Sequence, residues 1–417
     1  MTEATEALTR ANEDLDRGEV GLAIGRLRAH AETLPLEGVA AVLGRAAAAS
    51  GFDDMVEAAR QVVSDPESPQ WLYRLGYACV ERGIAPVAVP FLASALQHAP
   101  GTLVIVSELA AAYERDDRHA EAVAVLEANE AVLRDWPERY LLAFNAIMAG
   151  DIEKARSWAD RLSTADADWA PAQRRLAGML DRAGLVGSLD DRTLRPWHFV
   201  LNASVLATLS PFGLDDGMNG RYAYLGDSAE LCASTLARLK ATEPSASSVS
   251  LLPDRGSHIL GLAAARILGL PTRTWAPGLS DSIVVAYDLN EIDPAILEHL
   301  RERPTGSVLF EHACCWTSPP PVAADFVGLL GQHFVPPWGA RLMAPPGESV
   351  RKSDPDDRPA ELIAEEIASA TPSADLAPGD SVEDLVAFVR SLADGWPAVG
   401  PRDRMWSPGP VRSSRFL

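Results

Sequence analysis

The sequence predicts an α-helical solenoid of stacked helix pairs, followed by an α/β domain with a mainly parallel sheet. The first observation is a pattern of small and large apolar residues that recurs about every 34 residues through the N-terminal half. The second is a glycine or proline after the apolar runs of that half, where helices would end. The third is an alternation of β-branched and amphipathic segments in the C-terminal half, which is typical of strands joined by crossover helices.

The clearest repeat has the pattern Leu72, Leu75, Gly76, Cys79, Gly83, Ala88, Leu92, Ala95 and Pro100. Its first large side chains are three and four residues apart, so they share one helix face. Gly76 has no side chain and lets a second helix approach closely. Gly83 suits the left-handed position that ends a helix, and Pro100 cannot continue one. The pattern therefore predicts two antiparallel helices.

The same spacing predicts further repeats on both sides of this one. On the C-terminal side they carry Leu109, Ala110, Tyr113, Ala122 and Leu126, then Leu142, Ala143, Ala146, Gly150, Ala155 and Ala159. On the N-terminal side they carry Leu43, Gly44, Ala47, Gly51, Val56 and Arg60, and a degenerate first repeat has Gly18, Ala23, Leu27 and Pro35. A last helix at 176–180, followed by Gly184, is predicted to cap the stack.

This helix-pair pattern resembles the tetratricopeptide repeat (TPR) family over roughly residues 4–185. The resemblance implies a superhelix whose concave face binds peptides or extended segments of partner proteins. Because peptide-binding members use Lys, Arg and Asn on their inner helices, the candidate partner-binding residues are Arg74, Asn145 and Arg175. The alternative is a helical scaffold that packs only against its own C-terminal half.

The charge and composition restrict the classes of function. The net charge is −21, and residues 1–185 hold 18 Lys and Arg against 29 Asp and Glu, which disfavours binding to nucleic acid or anionic membrane. A secretory signal and an apolar run long enough to span a membrane are both missing. Four scattered cysteines do not form a disulfide framework. These features predict a soluble cytoplasmic protein, and the excess of arginine over lysine indicates a bacterial source.

The second half is predicted to alternate strands and helices. The predicted strands are the first part of 197–206, then 247–252, 282–287 and 307–310. The predicted helices are 229–239, 261–268, 294–301, 323–334, 361–369 and 382–392. The basic tail 401–417 is predicted to be mobile or to pack across the fold. The predicted domains are the TPR-like repeats at 1–187, the α/β domain at 195–340, and a linker, two helices and the tail at 341–417.

Polar residues follow three of these strands, and parallel strands meet ligands at their carboxyl ends. The first set is predicted to bind a phosphate or carboxylate at a helix N-terminus, and its members are Asp254, Arg255, Gly256, Ser257 and His258. Alternatively, Asp254 and Arg255 form an ordinary ion pair within a loop and bind no ligand. Asp288 and His312 are the candidate catalytic residues.

Two further kinds of site each have a simpler alternative. A metal could be held by His258, Asp288, His312 and Cys315, but without paired ligand motifs the sequence predicts no metal and no cofactor. The adjacent Cys314 and Cys315 point to opposite faces of a strand, and two small buried residues are favoured over a nucleophilic thiol. Arg221 and Asp227 flank Tyr222 and Tyr224. These residues and the glycine-rich segment 211–220 before them form either a lid or an ordinary turn, and the turn is favoured.

Residues 254–271 are similar to the first part of phosphoribosyltransferase domains, with a strand, a short loop and an alanine-rich helix. The family's binding motif would fall at 284–291, where Asp288 aligns with one acidic residue but the threonines and glycine are missing. The resemblance therefore implies a similar topology without that activity.

The sequence as a whole favours an adaptor that binds an unidentified protein or peptide through the TPR-like groove. The alternative is an enzyme or sensor that binds a small anionic metabolite in the α/β crevice. In a third interpretation the protein is purely structural.

Overall fold

The fold is that of a computed structural model, which describes residues 3–187, 189–209, 222–343, 351–372, 380–405, 407 and 409–411. The chain divides into two compact units, Met1–Leu176 and Ala177–Leu417. The first unit is a helical repeat and the second is α/β, which confirms the predicted fold class. No helix among the described residues is long and apolar enough to cross a membrane.

The first unit consists of consecutive helix hairpins. Its helices are α1 (Glu3–Asp16), α2 (Val20–Ala29), α3 (Leu36–Ser50), α4 (Asp53–Ser64), α5 (Pro69–Glu81), α6 (Ala85–His98), α7 (Leu103–Arg115), α8 (His119–Ala128), α9 (Tyr140–Met148) and α10 (Ile152–Ala159). The helix α11 (Ala170–Leu185) crosses the division between the units. Gly51 and Gly83 have positive φ, as the repeat pattern predicts for residues that end a helix.

Gly76 allows α5 and α6 to pack closely together. A Cβ atom at this position would lie 2.6 Å from Cγ of Leu92, a fully buried side chain of α6. Such a distance is shorter than two carbon atoms tolerate, so only glycine fits without a shift of the Leu92 side chain or of the helices. The small residue in the repeat pattern is therefore a packing requirement.

We expect Gly76→Ala to lower the free energy of unfolding by about 1–2 kcal/mol, because overpacking outweighs the helix propensity that alanine adds. Gly25→Ala in α2 is the matched control, since no described atom lies within 4 Å of its Cβ position. The control should gain up to about 1 kcal/mol. Urea denaturation of both variants measures the difference, and equal shifts would contradict the close contact.

The second unit contains the remaining helices and all the strands among the described residues. The helices are α12 (Leu194–Asn202), α13 (Ala229–Ala241), α14 (Arg255–Leu268), α15 (Pro294–Arg301), α16 (Ala360–Ser369) and α17 (Val382–Ser391). The strands are β1 (Val205–Leu206), β2 (Tyr222–Gly226), β3 (Val249–Leu251), β4 (Thr272–Thr274), β5 (Ser282–Ala286), β6 (Ser307–Cys315), β7 (Phe326–Val335), β8 (Leu342–Met343) and β9 (Arg351–Lys352).

The main sheet is parallel in every described pairing, in the order β1-β7-β6-β5-β3-β4, and β2 also pairs with β7. From β3 the chain moves outward to β4, returns to β5 on the other side of β3, and continues through β6 to β7. The connections therefore reverse direction between β3 and β5. Crevices at such a reversal are where doubly wound sheets bind ligands.

The type of two predicted elements, helix or strand, was wrong. Residues 197–202 belong to α12 rather than to a strand, and residues 326–334 lie in β7 rather than in a helix. Both segments are buried along most of their length. A segment that is apolar on all sides shows neither helical nor strand periodicity, so its type cannot be determined from the pattern.

Candidate functional sites

An exposed surface of the repeat combines tyrosine rings with carboxylates. We call it the α5–α7 face and define it by Tyr73, Tyr77 and Glu81 of α5 and Glu108 and Arg115 of α7. The rings of Tyr73 and Tyr77 stack with centroids 6.1 Å apart, and Tyr77 is 43% exposed. Their spacing of four residues places both rings on one side of α5. This face therefore offers aromatic surface to solvent.

The carboxylates of this face lie close to the rings. Burial, and then the charge of Glu108, raise the pKa of Tyr73, so Glu108 is near that ring. Burial also raises the pKa of Glu108, and Glu81 adds to the rise while Arg115 opposes it. Arg115 and Glu81 are 3.9 Å apart and both about half exposed, so this ion pair is weak. The face is suited to a cation, since ring faces and carboxylates both attract positive charge.

The three predicted partner-binding residues occupy different environments. Arg74 is exposed, and its guanidinium lies 4.8 Å from the ring centroid of Trp71. Asn145 is fully buried, and its amide donates to Glu114 while its carbonyl oxygen lies 2.8 Å from Nδ1 of His119. Arg175 donates to the hydroxyl of Tyr140 at 2.9 Å. A buried asparagine of this kind holds helices together and is not accessible to a partner.

The residues predicted to bind an anion meet at the point where the sheet reverses. Asp254 caps α14, because its Oδ2 accepts a hydrogen bond from the backbone N–H of Ser257 at 2.8 Å. The hydroxyl oxygen of Ser257 accepts from the N–H of Tyr287, which directly follows β5, at 3.0 Å. The Arg255 guanidinium donates to the carbonyl oxygens of Asp356 and Arg358. These residues therefore lie together, but the Arg255 guanidinium, the donor that an anion would need, is hydrogen-bonded to the two carbonyl oxygens.

Further side chains cover this crevice or disfavour an anion there. A Cβ on Gly256 would lie 3.5 Å from the ring of Trp338, which is buried and covers the start of α14. His258 is partly buried in the first turn of α14. Oδ1 of Asp254 is buried and has no hydrogen-bond partner among the described residues. An acceptor in this position disfavours an anion.

Asp288 and His312 lie in two different clusters. His312 belongs to a buried group that we call the Asp227 cluster, with Asp227, Cys232 and Tyr287. Asp288 caps a short helical turn through its Oδ1 and raises the pKa of Glu311 by its charge. The sequence predicted neither cluster. Arg221 and the segment 211–220 lie outside the described residues, so the turn that the sequence favours over a lid stays a prediction.

The Asp227 cluster is densely hydrogen-bonded. Oδ2 of Asp227 lies 2.9 Å from Nε2 of His312, accepts the Tyr287 hydroxyl at 2.9 Å, and lies 3.3 Å from Sγ of Cys232. Burial on its own would raise the pKa of Asp227, but the adjacent His312 and the hydrogen bonds outweigh burial and lower it. Burial, reinforced by Asp227, raises the pKa of the Cys232 thiol.

A second buried group surrounds Glu311, and we call it the Glu311 cluster. Oε1 of Glu311 accepts from the N–H of Leu289 at 3.0 Å, while Oε2 has no partner among the described residues. Burial, and then the charge of Asp288, raise the pKa of Glu311 to about 8. Burial also raises the pKa of Asp288 to about 6. Glu311 is therefore protonated at neutral pH, which removes most of the cost of a buried charge.

The cysteines of β6 are unlike each other. Cys314 is fully buried, and burial raises the pKa of its thiol well above the usual range. Cys315 is partly exposed, and its thiol contacts the carbonyl oxygen of Gln332 at 3.3 Å. The raised thiol pKa of Cys314 does not favour the thiolate that a nucleophile requires.

Comparison with known proteins adds only distant similarities. No protein-family model matches the chain, and no curated protein matches it. Among solved structures, MamA AMB-1 is 20% identical with a TM-score of 0.25, and the match covers 38% of this chain and 95% of MamA. MamA MSR-1 is 19% identical with a TM-score of 0.24, covering 38% and 97%. A Thermobaculum terrenum O-GlcNAc transferase mutant is 16% identical with a TM-score of 0.23, covering 75% and 57%.

Proposed function

We propose that this chain is a protein-interaction adaptor that binds an extended, basic segment of a partner on the α5–α7 face. The observation that carries the proposal is the stacked pair Tyr73 and Tyr77 beside Glu81 and Glu108. Exposed aromatic rings next to carboxylates form a surface that a Lys or Arg side chain can contact through both kinds of attraction.

The partly buried Glu108 strengthens this argument. Its raised pKa shows that the surroundings of Glu108 stabilise the carboxylate less than water does, since burial outweighs the attraction of Arg115. A cation bound next to it would restore that stabilisation and shed part of its own hydration. A cation over a tyrosine ring contributes about 0.5–2 kcal/mol, depending on how far both are desolvated.

The charge of the whole repeat acts in the same direction. Residues 1–185 contain 29 acidic and 18 basic residues, a net charge of −11. Such a surface attracts a basic segment over distances of about 10 Å at moderate ionic strength. We therefore expect association to weaken as salt is added.

The test is binding of short unstructured peptides to the full chain, followed by fluorescence anisotropy. Peptides rich in Lys and Arg should bind, and peptides with Glu and Asp at the same positions should not. The double variant Tyr73→Ala, Tyr77→Ala should bind the basic peptides at least about tenfold more weakly, which corresponds to about 1.4 kcal/mol.

Val63→Ala is the matched control, because Val63 is also exposed but lies on α4. It should bind as the wild type does. Equal binding of acidic and basic peptides, or unchanged binding by the tyrosine double variant, would refute the proposal.

A further inference from the structure

Three side chains of the Asp227 cluster offer metal ligands from three separate elements. Asp227 follows the end of β2, Cys232 lies in the first turns of α13, and His312 lies in β6. One ligand atom of each lies within 4.8 Å of the other two, and all three residues are 0% exposed. Carboxylate, thiolate and imidazole together are a ligand set that zinc and related ions prefer.

Nδ1 of His312 faces Thr235, and Nε2 faces the other members of the cluster. The Thr235 hydroxyl lies 3.0 Å from the carbonyl oxygen of Cys232 and 2.8 Å from Nδ1 of His312. When the hydroxyl donates to that carbonyl, its oxygen accepts from Nδ1. In a neutral imidazole this leaves Nε2 as a bare acceptor.

That acceptor faces another acceptor. Nε2 of His312 and Oδ2 of Asp227 are 2.9 Å apart, and a carboxylate has no proton to share. In this tautomer a proton or a metal ion lies between the two acceptors, whereas in the other tautomer the N–H of Nε2 donates to Asp227. The geometry thus provides a position that a metal ion can occupy.

The distances suit a metal ion. The three ligand atoms are separated by 2.9 Å between Asp227 and His312, 3.3 Å between Asp227 and Cys232, and 3.7 Å between Cys232 and His312. Tetrahedral zinc, with bonds of about 2.0–2.3 Å, separates its ligand atoms by about 3.3–3.6 Å. Movements of a few tenths of an ångström would be enough to complete the site.

We propose that Asp227, Cys232 and His312 bind one zinc ion, with the Tyr287 hydroxyl as an adjacent fourth donor. The carboxylate and the thiolate balance the two positive charges, and the Cys232 thiol proton is released to solvent on binding. The ion replaces the proton between Asp227 and His312. This proton leaves to solvent from a protonated imidazole, or it moves to Nδ1 in a neutral one, so that Nε2 is free to bind the ion. Full burial excludes substrate, so the ion has a structural role and ties β2, α13 and β6 together.

Surrounding groups already orient the ligands as in known zinc sites. Thr235 holds Nδ1 of His312, and the N–H of Ser228 donates to Oδ1 of Asp227 at 2.8 Å. The Arg341 guanidinium donates to the backbone carbonyl of Asp227. These contacts fix the ring and the carboxylate before the metal arrives.

The experiment measures metal content of the full-length protein by mass spectrometry, after purification in zinc without chelator. We expect about one zinc per chain, and bound cobalt should give a thiolate charge-transfer band. Cys232→Ser and His312→Gln should each lose at least about tenfold in zinc affinity. Cys315→Ser and His258→Gln, which replace the same residue types outside the cluster, should keep it.

Because a buried substitution can also prevent folding, the wild-type protein provides the deciding measurement. Chelation should lower its Tm, and zinc but not magnesium should restore it. Folded wild-type protein without zinc, without the cobalt band and without a zinc-dependent Tm would overturn the proposal and leave a bridging proton. Undiminished zinc in folded Cys232→Ser and His312→Gln would overturn it as well.

Discussion

Asp325→Ala is expected to lower the free energy of unfolding of the second unit by about 3–5 kcal/mol. Asp325 is fully buried and binds two arginines: Oδ1 accepts from Arg303 at 2.7 Å, and Oδ2 accepts from Arg402 at 2.8 Å. Oδ2 also accepts from the N–H of Leu309 at 2.8 Å. Alanine would leave two nearly buried guanidinium groups without their counter-charge. The free-energy cost of this loss far exceeds the cost of breaking an exposed ion pair.

A neighbouring acidic residue supplies the control for this prediction. Asp403 pairs with Arg301 at 2.6 Å, but both side chains are well exposed, at 37% and 49%. Asp403→Ala should therefore cost no more than about 1 kcal/mol. Guanidinium denaturation followed by tryptophan fluorescence measures both variants, and similar losses for the two would contradict the assigned role of burial.

The repeat could be predicted from sequence because its determinants are local. Gly76 and Leu92 are in contact, and both belong to one recurring pattern of small and large residues. Gly51 and Gly83 end helices through their positive φ, and this property belongs to the residue itself. Stacked hairpins depend mainly on contacts between neighbours in sequence, so a local pattern carries most of the information.

The buried ion pairs could not be predicted in this way. Arg402 lies in the basic tail, for which the sequence leaves open whether it is mobile or packs across the fold; in the structure this residue is 1% exposed and donates to the carbonyl oxygen of Leu300. Its partner Asp325 is 77 residues away in the sequence. Nothing local distinguishes an arginine that will be buried by a distant carboxylate from one that remains in solvent.

The rule that selected the candidate site residues did not predict how the structure groups them. The rule that parallel strands present residues at their carboxyl ends selected His312 and Asp288. Adjacent residues of a strand point to opposite faces, so Glu311 and His312 belong to separate clusters. Asp227 and His312 are 85 residues apart, and only the sheet order brings them together. Polar residues at strand ends identify one edge of the sheet. Which of these side chains contact each other depends on the order of all the strands.

Glu311→Gln is expected to remove a large pH dependence of stability from the second unit. The pKa of Glu311 is raised from 4.5 to about 8, chiefly by burial and then by the charge of Asp288. Its contribution to stability is fully present below about pH 4.5, because the carboxyl is protonated in both the folded and the unfolded chain. As the pH rises toward 8, the unfolded chain ionises first, so stability falls by up to about 5 kcal/mol.

Glutamine keeps the carbonyl oxygen that accepts from Leu289 and cannot ionise, so the variant should be more stable than the wild type near pH 8. Near pH 5 the two proteins should differ little. Glu298→Gln on α15 is the control, because that side chain is exposed and its removal should leave the pH profile unchanged. Urea denaturation at a series of pH values measures all three proteins. Parallel profiles for Glu311→Gln and the wild type would show that the Glu311 carboxyl is not held protonated by its burial in the sheet.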